Sequence, residues 1–349
     1  MRKQFFYLSF LLLLNQNFMN ARSALRNIDP TVPYITTQWA DQEKTYTLRD
    51  SHLELFPLFE MYDKEHVTKN MLPKIAIPFR NNTKNSVSGK ILSTLIDELL
   101  LEIKAGKTTY KDFTILKNRD FNTHKQAGLL IVKSKKYPFV VKLFMETPQS
   151  FIRPFNKGFE PACFFVIGGG STRHLIGFTR IKNGQAIKKR LLKNYHWKDR
   201  VDVPKKWFWL PQEDRTIKLT GYNIGGYEKI SIEFPSIYAI VTEAIDAERT
   251  FSFFSTQDRR EAMDLSNFLL CRIDPHINNF MVEKETGKII IIDTEHFPSL
   301  VGFKDRPRIT TYTSWYLHLV FKYIKDSFFR TKSERIALQT NPKPPFSLP

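Results

Sequence analysis

The sequence predicts an α+β fold, as two domains or one two-lobed domain, with a short antiparallel meander preceded and followed by helices. Three observations predict it. Short β-branched and aromatic runs separated by turn residues fill residues 113–144. Helical apolar spacing precedes them at 91–103, and helix-forming composition follows at 256–270 and 315–329. Apolar side chains make up 42% of 349 residues, which supplies core enough for a globular chain of this length.

At the N-terminus, Arg2 and Lys3 precede the apolar run 5–14, and Ala21 and Ser23 stand at the −3 and −1 positions of a cleavage site. That layout predicts a secretory signal peptide over 1–23 and hence export to a periplasm, the extracellular space or a secretory lumen. The run is shorter than the about 20 apolar residues a spanning helix needs. Residues 24–109 read as an N-terminal extension holding the amphipathic helix 91–103. The runs 113–117, 129–133 and 139–144 read as a meander, and 164–167 with 174–181 as a further hairpin around Gly168–Ser171. Residues 182–215 form a basic and aromatic insertion, and 237–245 (IYAIVTEAI) a buried strand. Residues 279–282 and 289–292 form two strands around the turn Glu285-Thr286-Gly287, and the Pro-rich tail 336–349 is expected to be disordered.

The chemistry concentrates in CRIDPHINNFMVEKETGKIIIIDTEHF, from Cys271 to Phe297. Asp274 and Asn279 bracket a tight loop, and Asp293 follows an apolar run. Two carboxylates and an amide oxygen make a hard, oxygen-only environment suited to Mg²⁺ carrying a nucleotide's phosphates. A second carboxylate in such a site can orient and deprotonate a hydroxyl. Glu295 reads as an added Mg²⁺ ligand or an ordinary acid. His276 and His296 read as polar loop residues, because no third ligand is spaced for zinc. Two cysteines exclude a four-cysteine zinc site and a disulfide-stapled scaffold, and Cys271 reads as a buried structural thiol.

Asp-x₄-Asn, an apolar strand pair and then Asp resemble the catalytic and metal loops of the protein-kinase-like superfamily, which includes aminoglycoside phosphotransferases. The strand VVKLF resembles the family's VAIK strand, and IYAIVTEAID its hinge. The resemblance covers roughly residues 110–330. It implies a kinase-like fold with an N-lobe at 110–245, a mainly helical C-lobe at 246–335, and ATP with Mg²⁺ between them. It implies Asp274 as catalytic base, Asn279 and Asp293 as Mg²⁺ ligands, Lys142 on the nucleotide phosphates, and the backbone of Glu243, Ala244 and Ile245 on the base. The implied reaction is transfer of the γ-phosphoryl group to a hydroxyl of a protein or small molecule. The chain departs from the pattern: Arg272-Ile273-Asp274 replaces HRD, Asp293-Thr294-Glu295 replaces DFG, and a GxGxxG cover and an APE sequence are missing. The helix glutamate that pairs with the lysine has Glu146 and Glu160 as candidates.

Those departures fit an atypical kinase or a pseudokinase acting as a binding module. The formal charge of +18, from 53 Lys and Arg against 35 Asp and Glu, draws phosphate-bearing or acidic partners. Lys188, Lys189, Arg190, Lys205 and Lys206, interleaved with Trp197, Trp207 and Trp209, suit an acidic protein partner or, as a third reading, nucleic acid. A solvated face over packed aromatics explains the same run without a ligand.

Overall fold

The computed structural model describes residues 34–49, 53, 57–156, 172–212, 215–222, 229–301, 311–314, 317, 321 and 337–341. The expected signal peptide, Gly168–Ser171, Glu160 and nearly all of the helix expected at 315–329 lie outside the described residues. The described chain is α+β, with antiparallel sheets and several helices.

The central sheet is built from β5 (Phe113–Asn122), β6 (Ala127–Ser134), β7 (Phe139–Met145), β9 (Lys206–Trp209) and β12 (Ile237–Glu243), in the order β5-β6-β7-β12-β9 and antiparallel throughout. Alternation along these strands gives the sheet two apolar faces. One face, with Val141, Leu143, Val241 and Trp209, packs on α2 (Gly89–Lys104). Helix α2 forms because Leu92, Leu95, Ile96, Leu99, Leu100 and Ile103 repeat at helical spacing and are all buried, each worth about 2 kcal/mol on an area basis. The Ser88 hydroxyl caps it by accepting from the Lys90 N–H at 3.2 Å.

The opposite face, with Phe144, Phe208, Tyr238 and Ile240, packs on α4 (Thr172–Leu192). Here the expected hairpin over 174–181 is corrected to a helix. Leu175, Ile176, Phe178, Ile181, Ile187 and Leu191 are buried apolar residues of this helix, and their spacing is helical. Gly177 and Gly184 look like turn residues in the sequence. Gly177 instead allows the helix close to the sheet, since a Cβ there would lie 1.9 Å from the Tyr238 hydroxyl oxygen. Residues 182–215 also differ from a simple insertion, because they supply the end of α4, β8 (Val201–Asp202) and β9. The aromatics within them pack inward: Trp197 and Trp209 are buried, whereas Tyr195 is exposed.

A second antiparallel sheet joins distant parts of the chain in the order β11-β10-β1-β2-β16. Its strands are β1 (Tyr34–Trp39), β2 (Thr45–Arg49), β10 (Thr216–Tyr222), β11 (Lys229–Pro235) and β16 (Ala337–Asn341). The disorder expected over 336–349 is therefore corrected for 337–341, whose backbone finds partners along the edge of β2. Between these sheets lie α1 (Lys64–Lys69), the hairpin of β3 (Ala76–Phe79) with β4 (Asn82–Ser88), and α3 (Pro148–Asn156).

Beyond the central sheet, β13 (Ala247–Thr250), β14 (Phe280–Glu283) and β15 (Ile289–Ile291) form a sheet that β8 joins in parallel. Helices α5 (Thr256–Phe268) and α6 (Phe297–Val301) accompany it. The described part of the region expected to be mainly helical thus holds three short strands beside its helices. Arg80 ties the units together: its guanidinium reaches Glu283 at 2.6 Å, Asp202 at 2.8 Å and Glu243 at 3.4 Å.

Candidate functional site

Lys142 sits in the middle of β7, between Ile131 of β6 and Ile240 of β12. Its neighbours Val141 and Leu143 point to the α2 side, so the pleat turns the lysine to the α4 side. The residue is 9% exposed, and its Nζ lies 3.3 Å from Oδ2 of Asp293. Burial pulls Lys142 down to about 8, with Asp293 opposing and Arg180 adding to the fall.

Asp293 follows β15 and is held by a second cation. Arg180 of α4 grips it through one terminal nitrogen and grips Glu295 through the other. Lys206 of β9 donates to the Thr294 hydroxyl at 2.6 Å, and that hydroxyl donates to the Arg180 carbonyl at 2.8 Å. Burial alone would raise the Asp293 pKa, but Arg180, Lys142 and Lys206 outweigh it and hold the carboxyl well below the usual range. Burial and the neighbouring Lys142 push Lys206 well down.

Asp274 reaches this cluster through a strained turn. Leu270 and Cys271, straight after α5, both have positive φ, at 59° and 56°. The Cys271 N–H donates back to the Ser266 carbonyl at 2.8 Å, and the Ser266 hydroxyl donates to the Ile273 carbonyl at 3.0 Å. This tight reversal buries Ile273 and launches the Asp274 loop. The Asp274 carboxylate accepts from the His276 N–H at 3.0 Å, and the Asn279 side-chain amide donates to the Asp274 carbonyl at 3.2 Å. The Ile292 N–H donates to the Asn279 carbonyl at 3.0 Å, which sets this loop beside the residue preceding Asp293. Burial raises Asp274 well above its usual pKa, and the charges of Glu295 and Asp293 add to the rise.

Asn183, one helical turn after Arg180, joins both loops. Its amide nitrogen donates to the Arg272 carbonyl at 3.1 Å and to the Thr294 carbonyl at 3.0 Å. The Arg272 guanidinium donates to the Asn183 side-chain oxygen at 3.2 Å. Arg180, Asn183, Lys206 and Thr294 were not singled out in the sequence as site residues. The available signal was the i, i+3 pair Arg180/Asn183 on the inward stripe of α4.

The other expected residues are placed as follows. The Glu243 N–H donates to the Lys205 carbonyl at 3.2 Å and the Ala244 N–H to the Pro138 carbonyl at 2.8 Å, while Ile245 follows, half-buried. The Glu243 carboxylate accepts from the Lys205 N–H at 2.9 Å. Glu146 bonds Ser150 rather than Lys142. His276 caps its own turn, accepting from the Asn278 N–H at 3.2 Å, and His296 meets the Ser299 hydroxyl at 2.7 Å. Among the described residues no group of three or more His, Cys, Asp and Glu side chains is set to hold a metal. Asp293, Glu295 and Asn279 are nonetheless hard oxygen donors, suited to a divalent ion that also binds phosphates. Comparison with family models, curated proteins and solved structures finds no match.

Proposed function

We propose that this chain is an atypical kinase with a two-lobed, protein-kinase-like architecture, transferring the γ-phosphoryl group of ATP to a hydroxyl. The observation that carries the reading is the Lys142–Asp293 ion pair, which joins the central sheet to the segment after β15. The loop bearing Asp274 and Asn279 is tied to that same segment. Lys142, with Arg180 and Lys206 behind it, offsets phosphate charge. Asn279 and Asp293 would hold Mg²⁺, which supplies charge neutralisation on the phosphates. Asp274 orients the acceptor hydroxyl and takes its proton as the new O–P bond forms and the bond to the ADP leaving group breaks. To hold the metal, Asp293 would give up its contacts with Lys142 and Arg180, which would leave those cations free for the phosphates. The leader over 1–23 supports export, and no described helix is long and apolar enough to cross a membrane.

The test is Mg²⁺-dependent ATP turnover by the purified full chain. Asp293→Ala should abolish it, and unchanged turnover would remove the metal assignment. A second reading, a pseudokinase binding module, is favoured by the occupation of Asp293 by two internal cations. Thermal-shift titration separates the two, because an enzyme is stabilised by ATP with Mg²⁺ and turns over, and a module does not turn over.

A further inference from the structure

We propose a second anion site, in the cavity enclosed by α4, residues 69–73 and residues 203–207, that takes a compact ligand carrying two or more phosphate groups. This cavity goes beyond the nucleotide reading, since Lys142, Asp274, Asn279 and Asp293 do not line it. Its volume is about 410 Å³, within the range of small-molecule sites.

Five cations line it, Lys69, Arg180, Lys188, Lys205 and Lys206, and no Asp or Glu does. Their compensation is incomplete. Lys188 lies 3.4 Å from Asp202, but that carboxylate is already held by Arg80 at 2.8 Å. Lys69 and Lys205 form no ion pair among the described residues. Arg180 is 2% exposed, and its Nε–H is buried without an acceptor among the described residues. A buried guanidinium N–H lacking an acceptor is rare in folded proteins and points to one supplied from outside. Lys69, Arg180, Lys188 and Lys205 around one cavity, with the Lys206 amine beside them, match several charges rather than one, which selects a polyphosphate over a carboxylate. Met71, Val203 and Trp207 add an apolar wall for the carbon skeleton that bears the phosphates.

Arg180 and Lys206 touch both this cavity and the Asp293 cluster. An anion here therefore competes with Asp293 and Glu295 for Arg180, and the two sites are coupled reciprocally. A soluble phosphorylated metabolite and a phosphorylated lipid headgroup share the required chemistry.

The experiment is calorimetric titration of the full chain with tripolyphosphate at low salt, paired with co-sedimentation on phosphatidylcholine vesicles containing phosphatidylinositol bisphosphate. The wild-type chain should bind in at least one arm, and the arm that responds identifies the source. Lys188→Gln with Lys205→Gln, both at exposed side chains, should weaken that binding tenfold or more. The surface pair Lys189→Gln with Lys193→Gln should leave it within about twofold, and Lys142→Met should weaken it less than the cavity pair does. Failure of the wild type in both arms overturns the site. So does equal weakening by the two double variants, which signifies diffuse charge alone. Loss in Lys142→Met with retention in the cavity variant moves the phosphates to the Lys142 cleft, ending this proposal while sparing the nucleotide reading. Binding that follows the cavity pattern in a chain with no ATP turnover keeps the site and ends the kinase reading instead.

Discussion

The Nζ of Lys142 lies 3.3 Å from Oδ2 of Asp293, joining the middle of a buried strand to a residue far along the chain. The helix facing Lys142, α4, has no glutamate, and Arg180 occupies its inward stripe. Asp293 and Glu295 supply the negative charge. Three cations, Lys142, Arg180 and Lys206, share two carboxylates, an arrangement that favours an incoming anion.

Arg180 should therefore be the costliest of these cations to remove. Arg180→Met takes from Glu295 its ion-pair partner and leaves Asp293 with Lys142 alone, and urea denaturation should show a loss of about 3 kcal/mol. Arg180→Lys should recover less than half of it, because an ammonium cannot bridge two carboxylates as the guanidinium fork does. A loss below about 0.5 kcal/mol for Arg180→Met would mean that the cluster contributes little to holding α4.

Asp274 separates function from stability. Its carboxyl is buried and its pKa raised, first by burial and then by Glu295 and Asp293, so its ionised form is disfavoured in the fold. Asp274→Asn keeps an oxygen to accept from the His276 N–H and removes the ionisation. At pH 8 the variant should be at least as stable as the wild type, while ATP turnover falls roughly 10²-fold or more through loss of the base. A variant that is destabilised at pH 8 would contradict the electrostatic account. One that is stable and fully active would remove Asp274 from catalysis.

Much of this arrangement was legible in the sequence because it rests on strong periodicity. The stretch VVKLF sets Lys142 between two apolar residues, and β-alternation sends it to the face opposite theirs, which α4 covers. The apolar run 289–292 ends in Asp293, and residues 91–103 carry an unbroken apolar stripe. What escaped depended on tertiary partners. Arg180 and Asn183 are polar residues on the inward stripe of α4, where they interrupt the apolar pattern instead of completing it. Lys206 looked like one of many basic residues until its pairing opposite Thr242 placed it on the same sheet face as Lys142. The strand Ala337–Asn341 is defined by its pairing with β2, a partner hundreds of residues away that local composition does not reveal.

The close packing of α4 on the sheet can be tested at Gly177. An added Cβ would meet the Tyr238 hydroxyl at 1.9 Å and two Phe144 ring atoms at 3.0 Å. That hydroxyl is committed to the His174 carbonyl, so it cannot swing aside without losing a bond. Gly177→Ala, stabilising in an exposed helix, should here cost about 1–3 kcal/mol. Adding Tyr238→Phe removes the obstructing oxygen, and the double variant should be less destabilised than the two single changes sum to. Strict additivity would show that the helix relaxes away from Tyr238 instead.

Glu146 gives the molecule a pH dependence of defined sign. It closes β7, half-buried, with the Ser150 hydroxyl as its hydrogen-bond donor. Burial raises its pKa from the usual 4.5 to about 7, against the opposing pull of Ser150. Between those values the folded chain holds a proton that the unfolded chain has released. Its contribution to stability is therefore fully present below pH 4.5 and is lost as the pH rises through 7. Above that, the fold carries a poorly paired carboxylate. Glu146→Gln preserves the shape and removes the titration, so it should raise stability at pH 8 by on the order of 2 kcal/mol, allowing for partial exposure, and change it little at pH 4. Urea denaturation of both proteins at the two pH values measures the difference directly. The variant-minus-wild-type stability should grow with pH, and a flat or falling difference would place the Glu146 carboxylate in solvent, ionised and without consequence for the end of β7.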